Sequence, residues 1–205
     1  MHEIQNSRRL FCISSRRALA KQRKNSILVV GYVQRPVACK VKGKEEIAVL
    51  KKDCLLDVRA VMTPKDVNTC LCHAFTVSDA YEKLEITYDY EPKALEDREL
   101  SRMLIEAGLD NYAPGEWRNA YGTWEDYLPV VTLATISVDD AEGRYRGCAH
   151  RHPNHQYHEI GESDATYGFE PGPIMPGVWR ALVQVHAVAT ETCTYSIRIE
   201  GVRKA

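Results

Sequence analysis

The densest collection of side chains able to do chemistry is RYRGCAHRHPNHQYHEI, residues 144–160, which holds four of the seven histidines in the chain. Read as a hairpin turning at Pro153-Asn154, it puts His150 and His152 on one strand face with Arg151 opposite. His155 and His158 then point to different faces of the return strand. Two or three imidazoles could converge on one ion, yet neutral imidazole serves equally as a half-buried hydrogen-bonding group. No HExxH is present and no acidic motif follows the HxH, so no metal ligand is assigned. Arg146 and Arg151 could fork onto a carboxylate or phosphate, or be buried against acidic residues and fix the hairpin.

A second concentration is NYAPGEWRNAYGTWEDY, residues 111–127. Connections of this length in a compact domain are usually functional or disordered, and Trp117, Tyr121 and Trp124 could stack on or hydrogen-bond a ligand. The candidate ligand-binding set is therefore Arg146, His150, Arg151, His152, Trp117, Tyr121 and Trp124. VDDAEG, residues 138–143, carries oxygen ligands beside a glycine but has the composition of a plain turn between strands. GxSxG, a P-loop and GxGxxG are all missing, which weighs against those classes only.

The elements that must position these residues are mostly strands. Period-two alternation runs through VNTCLCHAFTV (67–77) and KLEITYDY (83–90), and β-branched residues fill LPVVTLATISV (128–138), VWRALVQVHAV (178–188) and CTYSIRIEGV (193–202). The segment at 178–188 is apolar enough on both faces to be a central strand. One segment differs. PKALEDRELSRMLIEAGL (92–109) spaces Leu95, Leu100, Met103, Leu104 and Ala107 as on a helix, starting near a proline and stopping at Gly108. This predicts a mainly β chain, an antiparallel β-sandwich of jelly-roll type with one short helix near residues 94–107. GFEPGPIMPGVW (168–179) can be neither helix nor interior strand, because three prolines and three glycines interrupt it. It is a shaped connection that delivers Trp179.

The net charge of −1 hides an asymmetry. Residues 1–44 hold eleven Lys/Arg and one acid, which leaves 16 basic and 27 acidic residues, a net charge of −11, for the rest. The expected division is a basic, disordered leader over 1–44 and a β-sandwich domain over 45–203. The Arg- and Ser-rich leader also fits an organellar transit peptide or an arm on nucleic acid, although no aromatic residues interleave its basic ones. Seven cysteines, an odd number, favour free thiols in a reducing cytoplasm. Cys70 and Cys72 fall on one side of a strand without CxxC spacing, as small core or face residues. No apolar run approaches the ~18–20 residues that span a bilayer.

The succession LATISVDDAEGRYRGCAHRH, DATYGFEPGPIMPGVWRALVQVHAV and CTYSIRIEG resembles the amino-terminal β-sandwich module of PHP-type (polymerase and histidinol phosphatase) metallohydrolases of the carbaryl-hydrolase-like kind. In that family a D-x-x-G turn leads to R-G…H-R, then P-G-P-I, G-x-W and two final strands. The likeness covers residues 45–202 and is strongest from 128 onward. The family's catalytic domain, opening with H-x-H and then S-D-G, has no counterpart here: His150-Arg151-His152 lies inside the module and no S-D-G follows. The resemblance thus implies an accessory module with no catalytic residue and no cofactor of its own, binding a small ligand or a partner such as a separate PHP-type catalytic subunit. A metal-dependent hydrolase, through its own histidines or as part of a split enzyme, is the alternative. A carbohydrate-binding module is the second alternative.

Overall fold

The structure, a computed structural model, describes residues 50–204 apart from 79, 114 and 150–152, with the side chains of 116, 117 and 204 left out. The leader 1–44 therefore lies outside the described residues. The strands are β1 (Leu50–Met62), β2 (Cys70–Val77), β3 (Lys83–Glu91), β4 (Leu133–Asp139), β5 (Tyr145–Cys148), β6 (His155–Gly161), β7 (Gly177–Ala187) and β8 (Cys193–Lys204); helix α1 (Arg98–Tyr112) interrupts them after β3.

Two four-stranded antiparallel sheets form, in the orders β1-β8-β3-β6 and β2-β7-β4-β5. First pairs with last, second with seventh, third with sixth and fourth with fifth, as in a long hairpin rolled on itself. Alternation is what allows it. In β3, Leu84, Ile86, Tyr88 and Tyr90 turn inward; in β7, Trp179, Ala181, Val183 and Val185 do so, and both sets join one core cluster between the sheets. The expected mainly β, antiparallel two-sheet architecture is the observed one, and β7 is indeed central, flanked by β2 and β4. His73 of β2 and Tyr195 of β8 add a polar tie across the core at its margin, Nε2 to hydroxyl 2.9 Å.

Three readings need correction. The helix begins later than expected, because Lys93 and Leu95 are held in extended pairing with Thr132 and Val130, and Asp97 is the residue that caps it, accepting from Leu100 N at 2.9 Å. It also runs through Gly108 instead of stopping there. Leu109 and Ala113 beyond the glycine are buried, so continuing the helix gains more than the roughly 0.5–1 kcal/mol that an interior glycine costs. Lastly, 144–160 is not a hairpin: β5 belongs to one sheet and β6 to the other.

Candidate functional site

The rolled pairing sorts the connections by end. Those after β1, β3, β5 and β7 emerge at one end of the sandwich, and those after β2, β4 and β6 at the other. The described residues of the excursion 92–132, together with Ala149, Pro153 and Asn154, which the sequence singles out separately, are thereby brought to the same end. Residues of that end are stitched together. Tyr90 and Asn154 exchange two hydrogen bonds, Tyr90 N to Asn154 O at 2.9 Å and Asn154 Nδ2 to Tyr90 O at 3.0 Å. Ala189 N donates to Thr132 Oγ1 at 3.1 Å, which ties the β7–β8 connection to the base of the excursion. Lys93 locks that base by donating to the Tyr90 hydroxyl at 2.6 Å and to Thr132 O at 2.9 Å.

Above this base the excursion folds as α1 followed by short 3-10 turns at Gly115–Tyr121 and Trp124–Tyr127. Trp124 is half-buried under the Arg98 guanidinium, 4.8 Å from the ring centre, while Tyr121 is exposed and its carbonyl accepts from the Tyr127 hydroxyl at 2.6 Å. The Trp117 side chain lies outside the described residues, as do His150, Arg151 and His152.

The two remaining histidines of the segment diverge. His155 is exposed, with Nδ1 3.0 Å from Asp89 and Nε2 3.0 Å from Glu91. His158 is buried, its Nε2 3.0 Å from Gln156 Oε1 and its ring 4.9 Å from that of Phe169. They point to opposite faces of β6 and do not meet at one ion. Among the described residues no group of three or more His, Cys, Asp or Glu side chains is disposed to hold a metal. Asp89 and Glu91 were beyond sequence reasoning as partners of His155. Alternation in β3 sends both outward, but only the β3–β6 register, with Asp89 opposite His155, joins them.

The hydrogen bond to Asp89, and then the charges of Asp89 and Glu91, raise the His155 pKa above its ordinary value despite some desolvation. A raised folded-state pKa adds stability that is fully present below the unfolded pKa and is lost as pH rises through the folded one. The His155 ring should thus titrate by NMR above about 6.5, and Asp89→Asn should move its midpoint down. A midpoint indifferent to that substitution would show that the pair does not form in solution.

Arg146 lies elsewhere, near the start of β5, and faces inward. Only 3% of it is exposed, and its guanidinium donates to the carbonyls of Glu170 (3.2 Å), Gly172 (3.0 Å) and Pro173 (3.1 Å). It also lies 5.2 Å over the Trp179 ring and 3.8 Å from Asp140. Burial lowers its pKa, with Asp140 opposing, but a guanidinium stays charged. Of the two roles open to it, internal anchor is the one its contacts describe: it holds the Pro/Gly-rich connection from within. Asp140 itself closes the 138–143 turn, accepting from Glu142 N at 3.0 Å and Arg144 N at 2.9 Å. Cys70 and Cys72 are exposed on the outer face of β2.

A groove of about 590 Å³ opens at the other end, between edge strands β1 and β2, over Leu55 and Phe75. Its polar rim is engaged with itself, Arg203 to Asp53 at 2.8 Å and the Tyr81 hydroxyl to Asp53 at 3.3 Å. No helix among the described residues is long and apolar enough to cross a membrane. Comparison of the chain with protein-family models and with curated proteins gave no match.

Proposed function

We propose that this chain is a non-catalytic β-sandwich accessory module that binds a partner through the loop end of the sandwich. The observation that carries this reading is the convergence of the described residues of the 92–132 excursion with Ala149, Pro153 and Asn154 at one end of the double sheet. Loops held by such a scaffold are where binding surfaces are commonly built. The rolled-hairpin order is the one expected of a jelly roll, and the resemblance over residues 45–202, strongest from 128 onward, makes a separate PHP-type catalytic subunit the first partner to test, with a small ligand second. The five described cysteines are free thiols, which suits a reducing cytoplasm.

The test is capture of the purified full chain by an immobilised PHP-type catalytic domain, with Tyr121→Ala/Trp124→Ala as the comparison. Association weakened by about tenfold or more in the double variant, as for aromatic residues at the centre of an interface, is the expected result. The chain alone should hold less than about one tenth of an equivalent of tightly bound transition metal. Failure to associate, together with stoichiometric zinc and hydrolytic activity in the isolated chain, would establish the metal-dependent hydrolase instead.

A further inference from the structure

Among the described residues, three of the four sheet edges are guarded and one is open. The β6 edge is covered by the segment that follows it, where Thr166 N donates to Glu159 O at 2.9 Å and Ile160 pairs with Ala165. The same segment runs on along β5, with Cys148 N donating to Gly168 O and Glu170 N to Arg146 O, each at 2.9 Å. β1 is guarded differently: its register shifts between Cys54 and Leu56, and it carries Lys51, Lys52, Asp53, Asp57 and Arg59. Bulges, charges and covering segments are the usual means by which natural sheets keep further strands off their edges. β2 has none of them. Its eight residues, CLCHAFTV, include no Asp, Glu, Lys or Arg, no proline and no glycine, and they pair with β7 without a break in register.

Just before β2, Val185 N donates to Thr69 O at 3.1 Å. Alternation from there gives the bonds with β7 to Leu71, His73, Phe75 and Val77, and turns the backbone N–H and C=O groups of Cys70, Cys72, Ala74 and Thr76 to the open side. Those four residues are exposed, and no described strand pairs with that side. The edge therefore calls for an extended strand, which supplies donors and acceptors at the same repeat. A second copy of β2 meets the demand best. Antiparallel pairing of a strand with itself about a two-fold axis satisfies both edges at once and closes the assembly. With the axis at His73, Cys70 of each copy faces Thr76 of the other and Cys72 faces Ala74, small side chains with no like charges opposed. The inner face gains as well. Leu71, only half-buried within one copy, comes beside Phe75 of the other, at the groove between β1 and β2 that lies over Leu55 and Phe75. We propose that the chain forms a two-fold dimer by antiparallel pairing of β2 with β2 of a second copy, which joins the two β2-β7-β4-β5 sheets into one of eight strands. The dimer is independent of the loop-end reading, because its contacts lie along a sheet edge.

Sedimentation velocity of the full chain over a concentration series should show a monomer–dimer equilibrium with a Kd on the order of micromolar, as for an interface at the small end of the stable range. Cys72→Lys/Ala74→Lys sets lysine opposite lysine twice across the axis and should weaken association by about tenfold or more, whereas Cys72→Ser/Ala74→Ser should keep it. All four substitutions are at exposed positions, so the far-UV circular dichroism should stay that of the parent chain. Thr76→Cys checks the register, since facing residues of such a pair have Cα atoms about 5.5 Å apart, inside the disulfide range. With glutathione disulfide as oxidant, the two facing thiols give up two protons and two electrons to form one bond, and the oxidant leaves as two glutathione thiols. A covalent dimer should then appear on a non-reducing gel, and adding Cys70→Ser to Thr76→Cys should return it to the level of the parent chain. A chain that stays monomeric to about 0.1 mM, a dimer indifferent to the lysine pair, or cross-linking that persists with Cys70→Ser would overturn the proposal. So would a monomeric chain that binds a labelled peptide of alternating valine and threonine, because the edge would then serve a foreign strand.

Discussion

Trp179→Ala is expected to cost about 3–5 kcal/mol of folding stability, the range for removing a fully buried large aromatic. The side chain is 0% exposed and stands at the head of β7, one of the two inner strands of its sheet. Its ring lies 6.4 Å from that of Phe75 on the neighbouring β2, and the Arg146 guanidinium covers it at 5.2 Å. Its indole Nε1 donates to Met175 O at 2.8 Å, which pins the end of the Pro/Gly-rich connection to the strand that follows. Alanine would open a cavity, leave that carbonyl without its partner and remove the aromatic face beneath a buried charge. Trp179→Phe keeps most of the packing and forfeits the hydrogen bond, which is worth about 1 kcal/mol. Urea unfolding measures both, and an alanine midpoint equal to that of the parent chain would refute the packing described.

The strands were legible because their alternation is local. Leu84, Ile86, Tyr88 and Tyr90 announce a half-buried strand without knowledge of any partner, and Trp179 announces itself by leading the most apolar segment. The path between strands was not legible. Nothing within RYRGCAHRHPNHQYHEI tells a two-stranded turn from a crossing between sheets, since both need Pro153-Asn154 and a return to alternation. The choice is made by β3, which claims β6 as its neighbour. The helix failed for a related reason. Periodicity identifies a stripe but not the surface that covers it, and the excursion carries α1 away from the core, where Leu100, Met103 and Leu104 have no sheet to meet. The boundaries shifted because Lys93 and Leu95 were committed to extended pairing with residues more than thirty positions away. At the loop end, His155 was visible as a candidate but its carboxylate partners depended on register, which sequence does not state.

Gly147 explains why arginine and glycine stand together in the R-G landmark. At this position β5 is crossed by the segment that begins the Pro/Gly-rich connection: Cys148 N donates to Gly168 O at 2.9 Å, and Gly147 pairs with Phe169. The two backbones come so close that a Cβ on Gly147 would meet Gly168 O and the Phe169 Cα well inside contact distance. Relief by a side-chain rotation is impossible, because both obstacles are main chain. Gly147 also has φ +110°, a conformation that L side chains rarely adopt. Arg146 meanwhile grips the same connection one to four residues beyond Phe169, at Glu170, Gly172 and Pro173, so the segment cannot back away without breaking those bonds. Gly147→Ala should therefore combine backbone strain with overpacking and cost on the order of 4 kcal/mol. Gly143→Ala is the control: it shares a positive φ, +78°, but has open space around it, so its penalty should be that of strain alone, about 1–2 kcal/mol. Thermal or urea unfolding of the two variants side by side decides the matter. Equal losses would mean that the crossing is loose enough to part, and the rigid delivery of Trp179 from the connection into β7 would have to come from Arg146 alone.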